Sequence, residues 1–226
     1  MSSIKIARRG AQPPSALGSQ RRRLLLVGPP GAGKGSQGTC LAPRLGVPYM
    51  STGELLREEV RRGSPAGRQA SEYMRAGELV PDWLVRFVLE YQLSNALEVG
   101  LVLDGYPRTL EQAERFMRSL GRAALDLVIE LAVSDEVAIG RLAARSACHR
   151  CGQLSGVAST MRCARCGSML KRRRDDEEDV VHARLVTHRE QTEPMLEYFA
   201  AAELLVTIDG NRPKEVVGSD LLRLLA

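Results

Sequence analysis

Two groups of residues in this chain have the types and the spacing to do chemistry. The first is Gly28-Pro29-Pro30-Gly31-Ala32-Gly33-Lys34-Gly35-Ser36. Backbone N–H groups converge on a phosphate only where side chains leave room, and four glycines in nine residues provide that room. A helix starting just after the loop adds its positive dipole end. Lys34 supplies a mobile point charge for the outer phosphates, and the Ser36 hydroxyl can hold Mg2+ directly or through water. The generic phosphate-loop pattern has Ser or Thr directly after the lysine, whereas Gly35 intervenes here. The bland reading is a tight strand–helix turn with a surface lysine, and the density of glycines weighs against it.

The second group is Cys148-x-x-Cys151 and Cys163-x-x-Cys166, with 11 residues between the pairs. Each pair can sit on one turn, and two such turns give four thiolates to a tetrahedral, closed Zn2+ site. Disulfides or free thiols are the alternatives. Cys40 is left over and reads as a small buried residue. His149, His182 and His188 show no ligand pattern, and His149 is unnecessary if four thiolates bind.

These groups need elements to position them. Leu24–Val27 is a short apolar run ending at the glycine loop, as expected of a buried parallel strand. Similar runs occur at Leu101–Leu103, Leu127–Val133 and Leu204–Ile208, with a weaker one at Val47–Met50. Helical patterns lie between them, at 35–45, 53–62, 66–77, 82–98, 110–120, 135–146, 178–200 and 214–225. Gly38 and Pro43 weaken the first helix, and Pro43 is expected to shorten it. Strands alternating with helices predict an α/β fold with a five-stranded parallel sheet, carrying the phosphate loop at the carboxyl end of its first strand. Residues 146–176 interrupt the pattern with cysteines and charge and read as an inserted module.

The chain has 226 residues, 44% apolar and 26% charged, an ordinary globular balance that needs no disulfides for its core. No apolar run approaches the roughly 18 residues of a membrane helix, and no apolar core of a secretory signal is read. The formal charge is +5, but residues 1–23 carry six basic residues and no acid. The remaining 26 basic and 27 acidic residues nearly cancel, which speaks against nucleic-acid binding. Residues 1–20 are expected to be a disordered tail. A mitochondrial transit segment is the alternative, disfavoured because Pro13-Pro14 breaks an amphipathic helix.

Gly-x-Pro-Gly-x-Gly-Lys-Gly-Ser resembles the loop of adenylate kinases and their nucleoside-monophosphate kinase relatives. Ser51-Thr52-Gly53-Glu54-Leu55-Leu56-Arg57 is similar to their monophosphate-binding segment, with Glu54 where Asp is commoner. Met74-Arg75-Ala76-Gly77-Glu78-Leu79-Val80-Pro81-Asp82 is similar to the segment lining the monophosphate base pocket. Leu103-Asp104-Gly105-Tyr106-Pro107-Arg108-Thr109, followed by Gln112, is similar to the family's Asp-Gly-Phe-Pro-Arg-Thr, with Tyr106 for Phe. Arg145 before Cys148, the run Leu170–Asp176 and Arg184 resemble the surroundings of a metal-bearing lid. The loop between the cysteine pairs is shorter than usual and lacks the Tyr-His segment often found there. The resemblance covers nearly the whole chain after residue 23, with the motifs in family order.

The resemblance implies reversible transfer ATP + AMP = 2 ADP, Mg-dependent and in line, with ATP, AMP and ADP as the ligands. The core would be residues 21–50, 81–145 and 177–226, with a monophosphate-binding flap at 51–80 and a zinc-ribbon-like lid at 146–176. Gly31, Ala32, Gly33, Lys34, Gly35 and Ser36 would hold the donor phosphates, and Arg57 and Arg108 the acceptor phosphate. Arg145, Arg173 and Arg184 would clamp both, and Asp104 would orient water on Mg2+. Thr52 and Gln112 would contact the acceptor adenine, with Glu78, Leu79 and Val80 lining its pocket beside Gly105, Tyr106 and Pro107. Arg141 would stack on the donor adenine and Arg212 line its pocket, while Leu154 and Ser155 occupy the place of donor-base contacts in the lid. A monomer in the cytoplasm, bound to neither nucleic acid nor membrane, is the matching expectation. A UMP/CMP-type kinase is a competing reading, opposed by Thr52 and Gln112, and a zinc-ribbon binding module with an inactive core is another. A GTPase is excluded, because neither Asn95 nor Asn211 begins Asn-Lys-x-Asp.

Overall fold

The computed structural model describes residues 4–6, 22–121, 124–148, 150–155 and 161–225. The expectation for His149, and that for the tail apart from 4–6, lie outside the described residues. The elements are β1 (Ile4–Ile6), β2 (Arg23–Val27), α1 (Lys34–Leu45), β3 (Tyr49–Ser51), α2 (Thr52–Arg62), α3 (Pro65–Ala76), α4 (Asp82–Val99), β4 (Leu101–Asp104), α5 (Leu110–Leu120), β5 (Leu127–Ala132) and α6 (Asp135–Ala143). The inserted module adds β6 (Ser146–Cys148), β7 (Leu154–Ser155) and β8 (Leu170–Lys171). A 3-10 turn (Arg174–Asp176), α7 (Glu178–Thr187), a π turn (His188–Thr192), α8 (Glu193–Ala201), β9 (Leu205–Asp209) and α9 (Lys214–Leu225) complete the order.

The main sheet runs β1-β9-β5-β2-β4-β3, with five parallel strands and β1 antiparallel on β9. The five-stranded parallel sheet is as expected. The sixth strand corrects the reading of the N-terminal segment as wholly irregular: three residues, too few for a visible period, pair as Ile4↔Ile208 through Ile6↔Val206. The strand order reverses around β2, which has β4 on one side and β5 on the other. The connection after β2 runs through α1 to β3 on one side and that after β5 runs to β9 on the other, so a crevice opens between their carboxyl ends, where the glycine loop lies.

Alternation along β2 divides the core. Leu25 and Val27 pack with Leu103, Leu84, Phe116, Met195 and Phe199 on one face. Leu24 and Leu26 pack with Leu41, Ile129, Val217 and Leu221 on the other. Each of these buried side chains contributes roughly 1.5–3 kcal/mol relative to exposure. Both layers hold the strand ends that carry the site.

Three helix boundaries differ from expectation. Pro43 does not shorten α1, which runs to Leu45. The residue lies on the exposed side of the last turn, so the Thr39 carbonyl that loses its partner faces water. The helix expected to reach residue 146 ends at Ala143, because Ser146–Cys148 pairs with β7 and β8. The helix expected over 178–200 widens into a π turn, in which the Glu193 N–H donates to the His188 carbonyl. Pro194, in the first turn of α8, has no N–H for the ordinary bond to residue 190.

Candidate active site

The glycine loop takes a shape that side chains forbid. Gly28 has φ 142°, and a Cβ there would lie 2.5 Å from the Leu131 carbonyl oxygen. Gly33, at φ 93°, caps the start of α1. The loop thus lies tight against β5 with the N-terminus of α1 open above it. Lys34 Nζ curls back and donates to the Gly28 and Pro29 carbonyls at 2.6 and 2.9 Å. Burial, with Arg108, Arg184 and Arg145 nearby, lowers its pKa to about 8, and Asp104 opposes the shift.

The end of β4 builds the acceptor side. Asp104 is buried, and its Oδ2 accepts the Tyr49 hydroxyl at 2.7 Å. Burial and that carboxylate push the Tyr49 phenol well above its ordinary range. Gly105 follows at φ 88°, and its carbonyl accepts from the Thr52 hydroxyl at 2.7 Å and from Arg108 Nε at 2.8 Å. The Arg108 N–H donates to Gln112 Oε1 at 2.8 Å, and Thr109 caps α5 by accepting from the Gln112 N–H. One turn therefore fixes the Arg108 guanidinium through its neighbours, and burial lowers its pKa. Thr52 and Gln112, expected at the acceptor base, brace this turn while lining the same cleft.

Arg57 of α2, Arg184 of α7 and the loop residues Arg145 and Arg173 meet three carboxylates beside it. Arg57 on α2 pairs with Glu54 at 2.9 Å and with Asp175 at 3.1 Å. Arg173 pairs with the same Glu54 oxygen, joining the inserted module to α2. Arg145 grips Asp176 through both nitrogens of its fork, with Nε at 2.8 Å. Arg184 Nη1 donates to the Asp175 carbonyl at 2.6 Å and lies 3.4 Å from Asp176 Oδ1. Burial lowers Arg173 and Arg184 to about 10. Burial also opposes the charges on Arg57, Glu54 and Asp175, but their partners outweigh it, so Arg57 is raised and both carboxylates are lowered. These groups stay charged in the folded protein.

A cleft of about 1010 Å³, open to solvent, joins these parts. Its lining includes Lys34, Thr52, Arg57, Glu78, Leu79, Val80, Gly105, Tyr106, Pro107, Arg108, Gln112 and Arg184. Arg145, Arg173 and Asp104 are outside this lining: Arg145 pairs with Asp176 and Arg173 with Glu54, neighbours of the lining residues Asp175 and Gly53, and Asp104 directly precedes Gly105. Gly31, Ala32 and Gly33 lead into α1, and Gly35 and Ser36 lie in its first turn beside the lining residue Lys34. Leu154 of β7 sits against the loop, its Cδ1 3.8 Å from where a Cβ on Gly35 would lie, and Ser155 follows it. Arg141 and Arg212 lie apart from the cleft lining. Arg141 Nη2 donates to the Asn211 and Arg212 carbonyls, and Arg212 pairs with Asp209 and Asp220.

Sequence reasoning missed part of the cleft. Val85 of α4 joins Leu56 and Met74, which belong to the two acceptor segments, in an apolar wall, and Thr187 at the end of α7 closes it with His188 and Thr192 of the π turn. Pro194 was the available signal for that turn. The carboxylate partners Glu54, Asp175 and Asp176 were visible as types, but their pairing is tertiary.

Cys40, expected to be buried, is exposed on α1, whereas the other four cysteines converge. Sγ separations are 3.4 Å for Cys148–Cys166, 3.5 Å for Cys151–Cys163 and 3.6 Å for Cys151–Cys166, and all four sulfurs lie within 4.8 Å of one another. A disulfide needs about 2.05 Å. A tetrahedral Zn2+ with Zn–S near 2.3 Å gives sulfur edges of about 3.75 Å, so the quartet fits that ion. The two turns match. Gly152 and Gly167 follow the second cysteine of each pair at φ 72° and 71°, and their N–H groups donate to the carbonyls of Cys148 and Cys163.

Comparison with known proteins accords with this geometry. The family model described as adenylate kinase matches residues 26–204. An adenylate kinase of Syntrophotalea carbinolica is 40% identical over 211 residues, covering 90% of this chain and 98% of the relative. One from Salinispora tropica is 43% identical over 204 residues, covering 86% and 94%. One from the archaeon Methanosarcina acetivorans is 39% identical over 211 residues, covering 90% and 98%. With a phosphate loop, an arginine-lined cleft and a four-cysteine module on one parallel sheet, the chain belongs to the adenylate kinase family.

Proposed function

We propose that this protein catalyses reversible phosphoryl transfer between Mg-ATP and AMP, giving two ADP. The observation that carries the reading is the single cleft. It places Lys34 and the glycine loop beside Arg57, Arg108 and Arg184, next to an apolar wall of Leu56, Met74, Val80 and Val85. An AMP phosphate is already an anionic nucleophile, so the site needs no general base. The difficulty is repulsion between two phosphates, and fixed guanidinium forks offset it.

In this mechanism Lys34 and the loop N–H groups hold the donor phosphates. Arg57 and Arg108 take the acceptor phosphate, while Arg145, Arg173 and Arg184 spread over both. Asp175, Asp176 and Glu54 hold the forks in place until phosphate oxygens take over some of their hydrogen bonds. Asp104 would hold water on the Mg2+ that accompanies ATP, the ion supplying charge neutralisation at the phosphates. Thr52, Gln112 and Glu78–Val80 receive the acceptor adenine, and Arg141 and Arg212 the donor adenine, beside Leu154 and Ser155. Residues 51–80 and 146–176 close over the reactants and exclude water.

The quartet Cys148, Cys151, Cys163 and Cys166 would hold a structural Zn2+, which gives a small module the stability its thin apolar content cannot. Thiolate ligands suit a reducing cytoplasm, and a monomer suffices because one chain supplies every role. Among the described residues no helix is long and apolar enough to cross a membrane.

Initial rates with Mg-ATP and AMP, UMP, CMP or GMP in parallel, with metal counted on the same preparation, test the reading. AMP should be strongly preferred, with about one zinc per chain. Preference for UMP or CMP would overturn the roles of Thr52 and Gln112, and no transfer to any acceptor would overturn the reaction.

A further inference from the structure

His188 opens the π turn and lines the cleft with no place in the mechanism above. Its side chain is 10% exposed, and its Nε2 is buried without a hydrogen-bond partner. Such an orphan is costly, by about 1–3 kcal/mol, and calls for an explanation. Four charged groups surround this part of the cleft, Lys34 and Arg108 sharing its lining with His188. Lys34 comes from α1, Arg108 from the turn after β4, Arg189 from the π turn itself and Glu193 from α8. Burial and the three cations lower its pKa to about 3, so the imidazole is neutral near pH 7.

The proton's place follows from Glu193. Its Oε1 lies 3.8 Å from Nδ1, too far for a hydrogen bond but close enough for its charge to favour a proton on that nitrogen. Nε2 then carries a lone pair and is an acceptor. Among the cations, Lys34 acts on the ring most strongly. Its ammonium has three N–H donors, and two are given to the Gly28 and Pro29 carbonyls.

We propose that His188 is a positioning residue for Lys34: its Nε2 accepts the third N–H of the ammonium while substrate phosphate draws the others off the loop carbonyls. A carboxylate in this place would cancel the charge that the phosphates need. A neutral imidazole fixes the direction of the ammonium and leaves its charge intact. The proposal rests on the phosphoryl-transfer reading and adds a residue to it.

His188→Leu removes the acceptor at similar volume, and His188→Gln keeps a neutral polar end. The Leu variant should lose about tenfold in kcat with KM for both nucleotides within about twofold, as for one lost hydrogen bond to a charged group. Its alkaline limb in kcat should move to lower pH, since losing the acceptor loosens the Lys34 proton in the nucleotide complex. The Gln variant should recover most of the rate. Wild-type kcat in the Leu variant, or equal losses in both variants, would overturn the proposal. Nitrogen-15 NMR of labelled histidine gives a readout independent of turnover. Nε2 should be unprotonated in the free protein and shift toward a hydrogen-bonded value on adding Mg-nucleotide. A proton on Nε2, or no response to nucleotide, would overturn it. A wild-type protein that makes no ADP would overturn the reaction itself, while the NMR result would still decide the role of His188.

Discussion

Arg108 shows how a single residue is prepared for its task. Its Nε is committed to the Gly105 carbonyl and its backbone to Gln112, which leaves the rest of the guanidinium fork fixed toward the cleft. A lysine in its place is a flexible point charge that can neither make the Gly105 contact in this geometry nor grip two phosphate oxygens. Arg108→Lys should therefore cost about 100-fold in kcat, the scale of losing one donor aimed at the transferring group, with little change in melting temperature. Near-normal turnover would remove Arg108 from that role. Lys34 gives a prediction in pH. Its pKa of about 8 lies below the ordinary 10.5, so the free protein loses this cation as pH rises through about 8. Bound phosphate favours the ammonium and raises the pKa again. The kcat/KM for Mg-ATP should fall above pH 8, while kcat holds to higher pH; coincident limbs would contradict this. The positions of Lys34, Arg57, Arg108 and Arg184 on one cleft were legible because they sit in local motifs, whereas Arg141 and Arg212 lie apart from it. The partners Glu54, Asp175, Asp176 and Tyr49 were not legible, because only folding brings residues 54, 173 and 175 together.

At the scale of elements, the parallel strands were readable because each is a short apolar run bounded by turn residues. The π turn was not, since residues 178–200 carry an unbroken helical pattern and only Pro194 marks the change. The inserted module was readable as a metal framework but not as a sheet, since β7 and β8 are two residues each. Among the described residues of the module, Cys148 and Cys163 are its buried side chains apart from the acids Asp175 and Asp176, so on the proposed reading thiolate–metal bonds would stand in for an apolar core. Chelation should melt this module before the sheet, seen as hydrogen exchange accelerating at β6 and β8 while β2, β4 and β5 stay protected. Activity should fall as a consequence, because Arg145 and Arg173 lead into and out of the module. Unchanged exchange after verified metal loss would exclude a structural metal. The Glu54–Arg173 pair joins the module to α2, and Glu54→Gln should weaken that docking. Two dyes placed on residues 54–62 and 161–170 should then report a larger mean separation without nucleotide; an unchanged separation would show that the pair does not hold the two together.

For the whole molecule, the sheet order places the phosphate loop between two diverging crossovers, and α2, α3, α7 and the inserted module wall the crevice above it. The enclosure matters as much as the charges. In the proposed mechanism Lys34 and the arginines would stabilise a transferring phosphoryl group whatever attacks it, so only exclusion of water would keep ATP from being hydrolysed. The central claim is therefore direct transfer from ATP to AMP in a closed cleft, and phosphorus-31 NMR of the protein with Mg-ATP and AMP tests it most directly. The account predicts two ADP for each AMP consumed, an approach to the same equilibrium from ADP alone, and no inorganic phosphate on the same timescale. Accumulation of inorganic phosphate with AMP unchanged would show that water is the acceptor and would contradict it.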